Sequence, residues 1–284
     1  MKIALASDMH WEHYPHKPRF GLSDEFLNNS RNADVLLLAG DIMDYSVHIN
    51  DRDKVLSVFS DLSINYENVI YVMGNHEHYG GDFTKTHSIL SELLKDWSNI
   101  HVLEKQGVTI GDTRFFGGTM WTSVNNEDPI AMSRIHRAMN DYNWVSNSSN
   151  SVNYRVYDEN GAVTFKTRPA KLSPEDTTSD HRQFLKQLSD DIEQNQDLKY
   201  CVVTHHSPSF QMCMDQYRGH YLNDAYMTDL EQFILDRCNI KKWVHGHLHN
   251  RKNVTIGECN IEVNARGYAS EGISRTFELS FFDL

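Results

Sequence analysis

Residues 35–41 read VLLLAGD: an unbroken apolar run closed by a glycine and a carboxylate. A run this short and this apolar fits a strand buried on both faces, as in a sheet covered by helices. The same grammar recurs at residues 3–10 (IALASDMH), 69–76 (VIYVMGNH), 200–205 (YCVVTH) and 242–249 (KWVHGHLH). Each run ends in side chains able to bind a cation: Asp8 and His10, Asp41, Asn75 and His76, His205, then His247 and His249. In an α/β sheet the loops at the carboxyl ends of strands converge on one crevice, so five such loops can deliver eight side chains to one place. Carboxylates, imidazoles and an amide oxygen without thiolates suit Mn, Fe, Zn or Ni. Seven ligands exceed what one open site can use. Two ions sharing a carboxylate, roughly 3.5–4 Å apart, fit the set better than one.

Between these runs lie amphipathic stretches that predict helices at Asp53–Ile64, Thr84–Trp97 and Thr178–Gln194. Thr228 and Glu231 form a capping-box pattern for another, and Ser173 with Pro174 and acidic Glu175 and Asp176 marks a helix start. Asn260–Val263 and Thr276–Phe282 alternate like strands of a second, partly antiparallel sheet. SNSSNSVN (146–153) reads as a loop, and Asn160-Gly161 as the turn of a hairpin between Tyr154–Tyr157 and Ala162–Phe165. The expected organisation is one domain over residues 1–284 with an elaboration at about 122–180 that covers the site, builds a subunit contact in a homo-oligomer, or simply decorates the surface.

With 27 Lys+Arg against 39 Asp+Glu, a charge of −12, the chain repels polyanions, so stable nucleic-acid binding is not expected. No apolar run reaches the length of a signal-peptide core or membrane span. Cys201, Cys213, Cys238 and Cys259 form no CxxC pair and read as reduced thiols, which predicts a cytoplasmic protein.

Asp8-x-His10, Gly40-Asp41, Gly74-Asn75-His76-Glu77, His205 and Gly246-His247-Leu248-His249 together resemble the five motifs of the calcineurin-like metallophosphoesterases, in the right order. The resemblance implies an α/β fold, a double β-sandwich flanked by helices. It places Asp8, His10, Asp41 and His249 on one ion and Asp41, Asn75, His205 and His247 on the other. It also implies Mn as the favoured metal, His76 as proton donor to the leaving group, and Asp44 as the residue orienting His76. Two cations lower the pKa of a water between them, and the resulting hydroxide is the expected nucleophile.

Departures from the family's patterns narrow the substrate. Tyr45 follows Asp44 where protein phosphatases of the family carry Arg, which disfavours a phosphoprotein. Glu77 stands where many cyclic-nucleotide phosphodiesterases have Asp, and only 35 residues follow His249, where family nucleases usually append a domain. GGTMWTS (117–123), AMNDY (138–142), LSPED (172–176) and NARGY (264–268) are similar to a bacterial and phage subgroup of unassigned substrate. His206, beside His205, is a candidate phosphate contact. Arg266 is either another or a surface salt bridge. Trp121, Tyr142 and Trp144 offer stacking surfaces or core. The expected substrate is a small phosphodiester or nucleotide.

Overall fold

In a computed structural model describing residues 1–284, the chain forms thirteen strands. They are β1 (Lys2–Ala6), β2 (Val35–Ala39), β3 (Asn68–Val72), β4 (Ile100–Leu103), β5 (Gln106–Ile110), β6 (Thr113–Gly118), β7 (Ser146–Tyr157), β8 (Val163–Lys171), β9 (Lys199–Thr204), β10 (Ile240–His245), β11 (Arg251–Ile256), β12 (Cys259–Asn264) and β13 (Ser280–Asp283). One sheet runs β13-β1-β2-β3-β4 and a second β11-β12-β10-β9-β6-β5, while β7 and β8 pair only with each other. β1 to β4 are mutually parallel, as are β6, β9, β10 and β12.

Why apolar runs rather than alternating ones mark these strands is visible in the packing. Ile3, Leu5, Val35, Leu37, Ile70 and Val72 point to the second sheet and meet Phe115, Cys201, Val203 and Val244 in a shared core. The intervening Ala4, Leu36, Leu38, Val69 and Tyr71 face the other way, onto Val55, Phe59 and Leu62 of the helix Arg52–Asn65. Both faces of the central strands are dry, so neither register position tolerates a polar residue until the strand ends.

The helices expected at 53–64 and 84–97 are Arg52–Asn65 and Thr86–Leu94. The one expected from Thr178 begins at Pro174, where Ser173 and Asp176 form a reciprocal capping box. Thr228 caps nothing: its hydroxyl accepts the amide of Ser123 at 3.0 Å, and the helix Glu231–Leu235 starts later. SNSSNSVN is strand, not loop, because β8 pairs along it from Ser146↔Lys171 to Asn153↔Thr167, with an irregularity between Asn147 and Ser151. The hairpin turn holds Gly161 at φ 80°. Ser280–Asp283 joins the first sheet, antiparallel to β1, not the second. No helix is long and apolar enough to cross a membrane.

Candidate metal centre

The loops after β1, β2 and β3 enter from one sheet and those after β9 and β10 from the other. Asp8, His10 and His249 come together in one cluster that could hold a cation, and Asp41, His205 and His247 in a second. Asp41 lies between them: its Oδ2 is 3.3 Å from His205 Nε2 and 3.9 Å from His10 Nε2 and from His76 Nε2. Asn75 Oδ1 is 3.1 Å from His205 Nε2. Its amide nitrogen donates to the Tyr79 hydroxyl at 3.0 Å, which turns the oxygen toward the cluster.

The backbone is bent to aim these groups. Asp8, His10, Asp41, His247 and His249 all have positive φ, between 42° and 69°, a region that side chains other than glycine seldom occupy and that concentrates at functional sites. Gly74 is required by closeness alone, since a Cβ there would sit 2.1 Å from Asp41 Oδ1. Glu77, fully buried, ties the loops: it accepts Ile42 N at 2.7 Å, Gly74 N at 2.6 Å, Asp41 N at 3.1 Å and the Tyr71 hydroxyl at 2.8 Å. Burial pushes its carboxyl up to about 7. Three of the four partners, however, are backbone amides that can only donate, so this pocket fits the anion.

The imidazoles are held from behind. His205 Nδ1 donates to the Ala39 carbonyl at 3.0 Å, His249 Nδ1 meets Glu271 at 2.6 Å and His10 Nδ1 meets Glu12 at 2.8 Å, so each presents Nε2 to the centre. His247 Nε2 is buried with no partner, and burial holds that ring well below its ordinary pKa, leaving a neutral lone pair. His10 Nε2 and His249 Nε2 stand 3.1 Å apart. Two nitrogens at that distance need a proton or a cation between them. The donor set thus fits two divalent ions.

His76 lies at the mouth of the cluster with Nε2 3.1 Å from the Tyr268 hydroxyl and its ring stacked on Tyr79. Its Nδ1 partner is Glu12, at 3.2 Å, not Asp44. Asp44 instead caps the helix Tyr45–Asn50, accepting Val47 N at 3.1 Å and the Ser46 hydroxyl at 2.6 Å. One Glu12 oxygen therefore serves both His10 and His76. Burial opposes charge on His76, yet Asp41 and Glu12 raise it to about 9. Burial opposes charge on Glu12 as well, and the two imidazoles bring it down to about 2.

Two further expectations are corrected. Arg266, 7% exposed, points away from the centre: its guanidinium donates to the carbonyls of Phe20 (3.2 Å) and Gly21 (3.4 Å) and lies over the Tyr14 ring. It is neither a phosphate contact nor a surface ion pair. His206 is buried behind His247, ring centroids 4.4 Å apart, with Nδ1 on the Thr119 carbonyl, and burial lowers it to about 3. It packs behind His247 and does not line the cleft.

The cleft itself, ≈1330 Å³, opens over Asp41, Asn75, His76, His247 and His249. Its outer walls carry Tyr79, Met139, Trp144, Met214, Tyr217 and Tyr226, and its one arginine or lysine is Arg251. That guanidinium is already engaged by the carbonyls of Ile273 and Thr276 at 2.7 Å. Of the three aromatics singled out earlier, Trp121 and Tyr142 are core, and Trp144, 53% exposed, reaches the cleft.

A family description, calcineurin-like phosphoesterase, matches residues 1–251. The chain belongs to this family. As a calcineurin-like phosphoesterase it is 24% identical over 295 residues to an uncharacterised protein of Acanthamoeba polyphaga mimivirus, covering 95% of this chain and 92% of that one. Among solved structures it is similar to the phosphopantetheinyl hydrolase PptH from Mycobacterium tuberculosis, with TM-score 0.68, 15% identity, and 99% and 95% of the two chains covered. It is also similar to a dimetal phosphatase from Danio rerio, with TM-score 0.55, 13% identity, and 99% and 91% covered. At these identities the two structures speak for the fold. Glu12, Tyr79 and Tyr268 escaped the sequence reading. Glu12 left a trace there, two residues after His10, and Tyr268 closes the NARGY stretch, though neither was given a role at the site.

Proposed function

We propose that this phosphoesterase is a single-domain, dinuclear metal-dependent hydrolase of a small phosphodiester or nucleotide. The observation that carries the reading is the convergence of Asp8, His10, Asp41, Asn75, His205, His247 and His249, from both sheets, at the floor of an aromatic cleft. Asp8, His10, Asp41 and His249 would hold one ion, and Asp41, Asn75, His205 and His247 the other, with Mn favoured. When bound, the pair supplies Lewis acidity and an activated water as nucleophile. His76 stands over Asp41 with Nε2 free to carry a proton to the departing oxygen. Glu12 holds Nδ1–H, so Nε2 accepts from the Tyr268 hydroxyl when the ring is neutral and donates to the same oxygen when it is charged. Tyr268 thereby keeps the proton aimed into the cleft until a leaving group takes its place.

The substrate reading rests on what the walls lack. Beyond the metal floor and His76, the cleft holds no lysine and its one arginine is engaged by carbonyls, which suits a monoanionic diester over a polyanion. Trp144, Tyr217 and Tyr226 offer flat apolar surface to a base or other planar group. Four unpaired cysteines accord with a cytoplasmic location. The test is metal analysis beside turnover with added Mn. About two equivalents of metal, loss of activity on chelation, and higher kcat/KM for bis-aryl and dinucleotide diesters than for aryl phosphate or phosphopeptides are expected. One ion or none in a fully active sample overturns the dinuclear site, and preference for monoesters overturns the substrate class.

A further inference from the structure

The β7–β8 hairpin belongs to neither large sheet, and beyond the bridge between Ser146 and Asp82 at its base its long edges are unpaired. A lone two-stranded hairpin is marginally stable in water and needs a covered apolar face. Here the apolar side chains are bare. The register sets Tyr157 opposite Val163 and Arg155 opposite Phe165, on one face, where Tyr157 is 64%, Val163 48% and Phe165 67% exposed. Val152 and Tyr154 share the other face with Lys166 and Arg168 and are 42% and 39% exposed. None of these residues lines the cleft, so the arm is no lid over the metal centre as it stands.

Its charge is opposite to that of the rest of the chain. Arg155, Lys166, Arg168 and Lys171 against Asp158 and Glu159 give the arm +2 within a chain of −12, leaving −14 elsewhere. A basic, aromatic arm on an acidic body is self-complementary between copies. We propose that the arm is the dimerisation element, laid across the body of a second copy that returns its own arm by twofold symmetry. The nine residues of β8 (Val163–Lys171) span roughly 30 Å at a strand's rise, enough to cross a neighbouring face. Edge-to-edge pairing of two arms is disfavoured, since it sets like charges side by side. Arm on body covers the exposed rings and sets opposite charges together, so association weakens with salt. This inference stands apart from the proposed chemistry.

Sedimentation equilibrium of the full chain at low and high salt is the test. Twice the 32.9 kDa chain mass is expected at micromolar concentration, with a dissociation constant that rises at least tenfold in the variant R155E/K166E/R168E and in Y157D/F165D. Far-UV circular dichroism should match the parent, because the substituted side chains lie outside the large sheets. For the unmodified protein, carbodiimide cross-linking of mixed light and heavy-isotope copies should join Lys166 of one copy to a carboxylate outside residues 146–171 of the other. A monomer at tens of micromolar in low salt overturns the proposal. So does a dimer indifferent to both variants, or a monomer whose arm binds anionic phosphatidylserine vesicles or single-stranded DNA instead.

Discussion

Replacing Glu77 with Gln exchanges a buried anion surrounded by four donors for an amide that brings two donors of its own. In its better orientation the new NH₂ takes the place of the oxygen facing Ile42 N and the Tyr71 hydroxyl, because the hydroxyl can turn to accept. Ile42 N is then orphaned, at about 1–3 kcal/mol. The remaining oxygen still accepts Asp41 N and Gly74 N but without its charge, which removes about 1 kcal/mol from each bond. The total loss is about 3–5 kcal/mol, a large share of the ~5–15 kcal/mol that a folded domain commands. At about 2–4 °C per kcal/mol for chains somewhat shorter than this one, the melting temperature should fall by about 6–20 °C. Thermal denaturation followed by circular dichroism measures it, with Glu92→Gln, on a side chain 70% exposed, as the unaffected control. Because Glu77 pins the Asp41 and Gly74 amides, metal content should fall in parallel. A melting temperature within about a degree of the parent would refute the anionic reading and show a carboxyl already protonated in the native protein.

Other expectations follow from the same contacts. His76→Ala should keep metal and fold while slowing poor leaving groups by about 100- to 10,000-fold and activated aryl esters far less; Glu12→Gln should repeat that selectivity more mildly, and Asp44→Asn should leave it unchanged, as leaving-group series will show. In chelated protein the stabilisation from charged His76 should be complete below pH 6.5 and lost as pH rises through about 9; His205 and His249 are raised into the same range, so pH-dependent urea melts should find the slope reduced, not abolished, in His76→Gln. Trp144→Ala should lower kcat/KM about tenfold for base-bearing diesters and little for methyl-substituted ones; an equal loss on both would assign Trp144 to packing.

What could be read from the sequence and what could not divides along physical lines. The strands that deliver the candidate metal-binding side chains were legible because dryness on both faces forces apolar residues at every position, and the abrupt change to Asp, Asn or His marks the strand's end. β5 was not: Gln106 and Thr109 are exposed on its edge of the sheet, and nothing in its composition separates it from a loop. SNSSNSVN misled for a related reason, since its pairing with β8 comes from backbone hydrogen bonds that polar side chains neither advertise nor prevent. The metal-binding candidates gather where their order along the chain suggested. Their supporters are contributed across the fold, so Tyr268 reaches His76 over 192 residues and no spacing announces it. Asp44 had the right chemistry at a plausible distance in sequence, but its carboxylate is committed to a helix end. Arg266 shows that a cation near a motif can be spent on carbonyls.

Because the ligand loops come from two sheets, cations seated among them would act as rivets through both plates. Binding to the folded state alone raises stability with free metal concentration, while the bent backbones of Asp8, His10, Asp41, His247 and His249 keep only their hydrogen bonds to offset their strain when metal is scarce. The lifetime of this protein inside a cell would then track metal supply, with starved copies opening at the cleft and falling to proteases first.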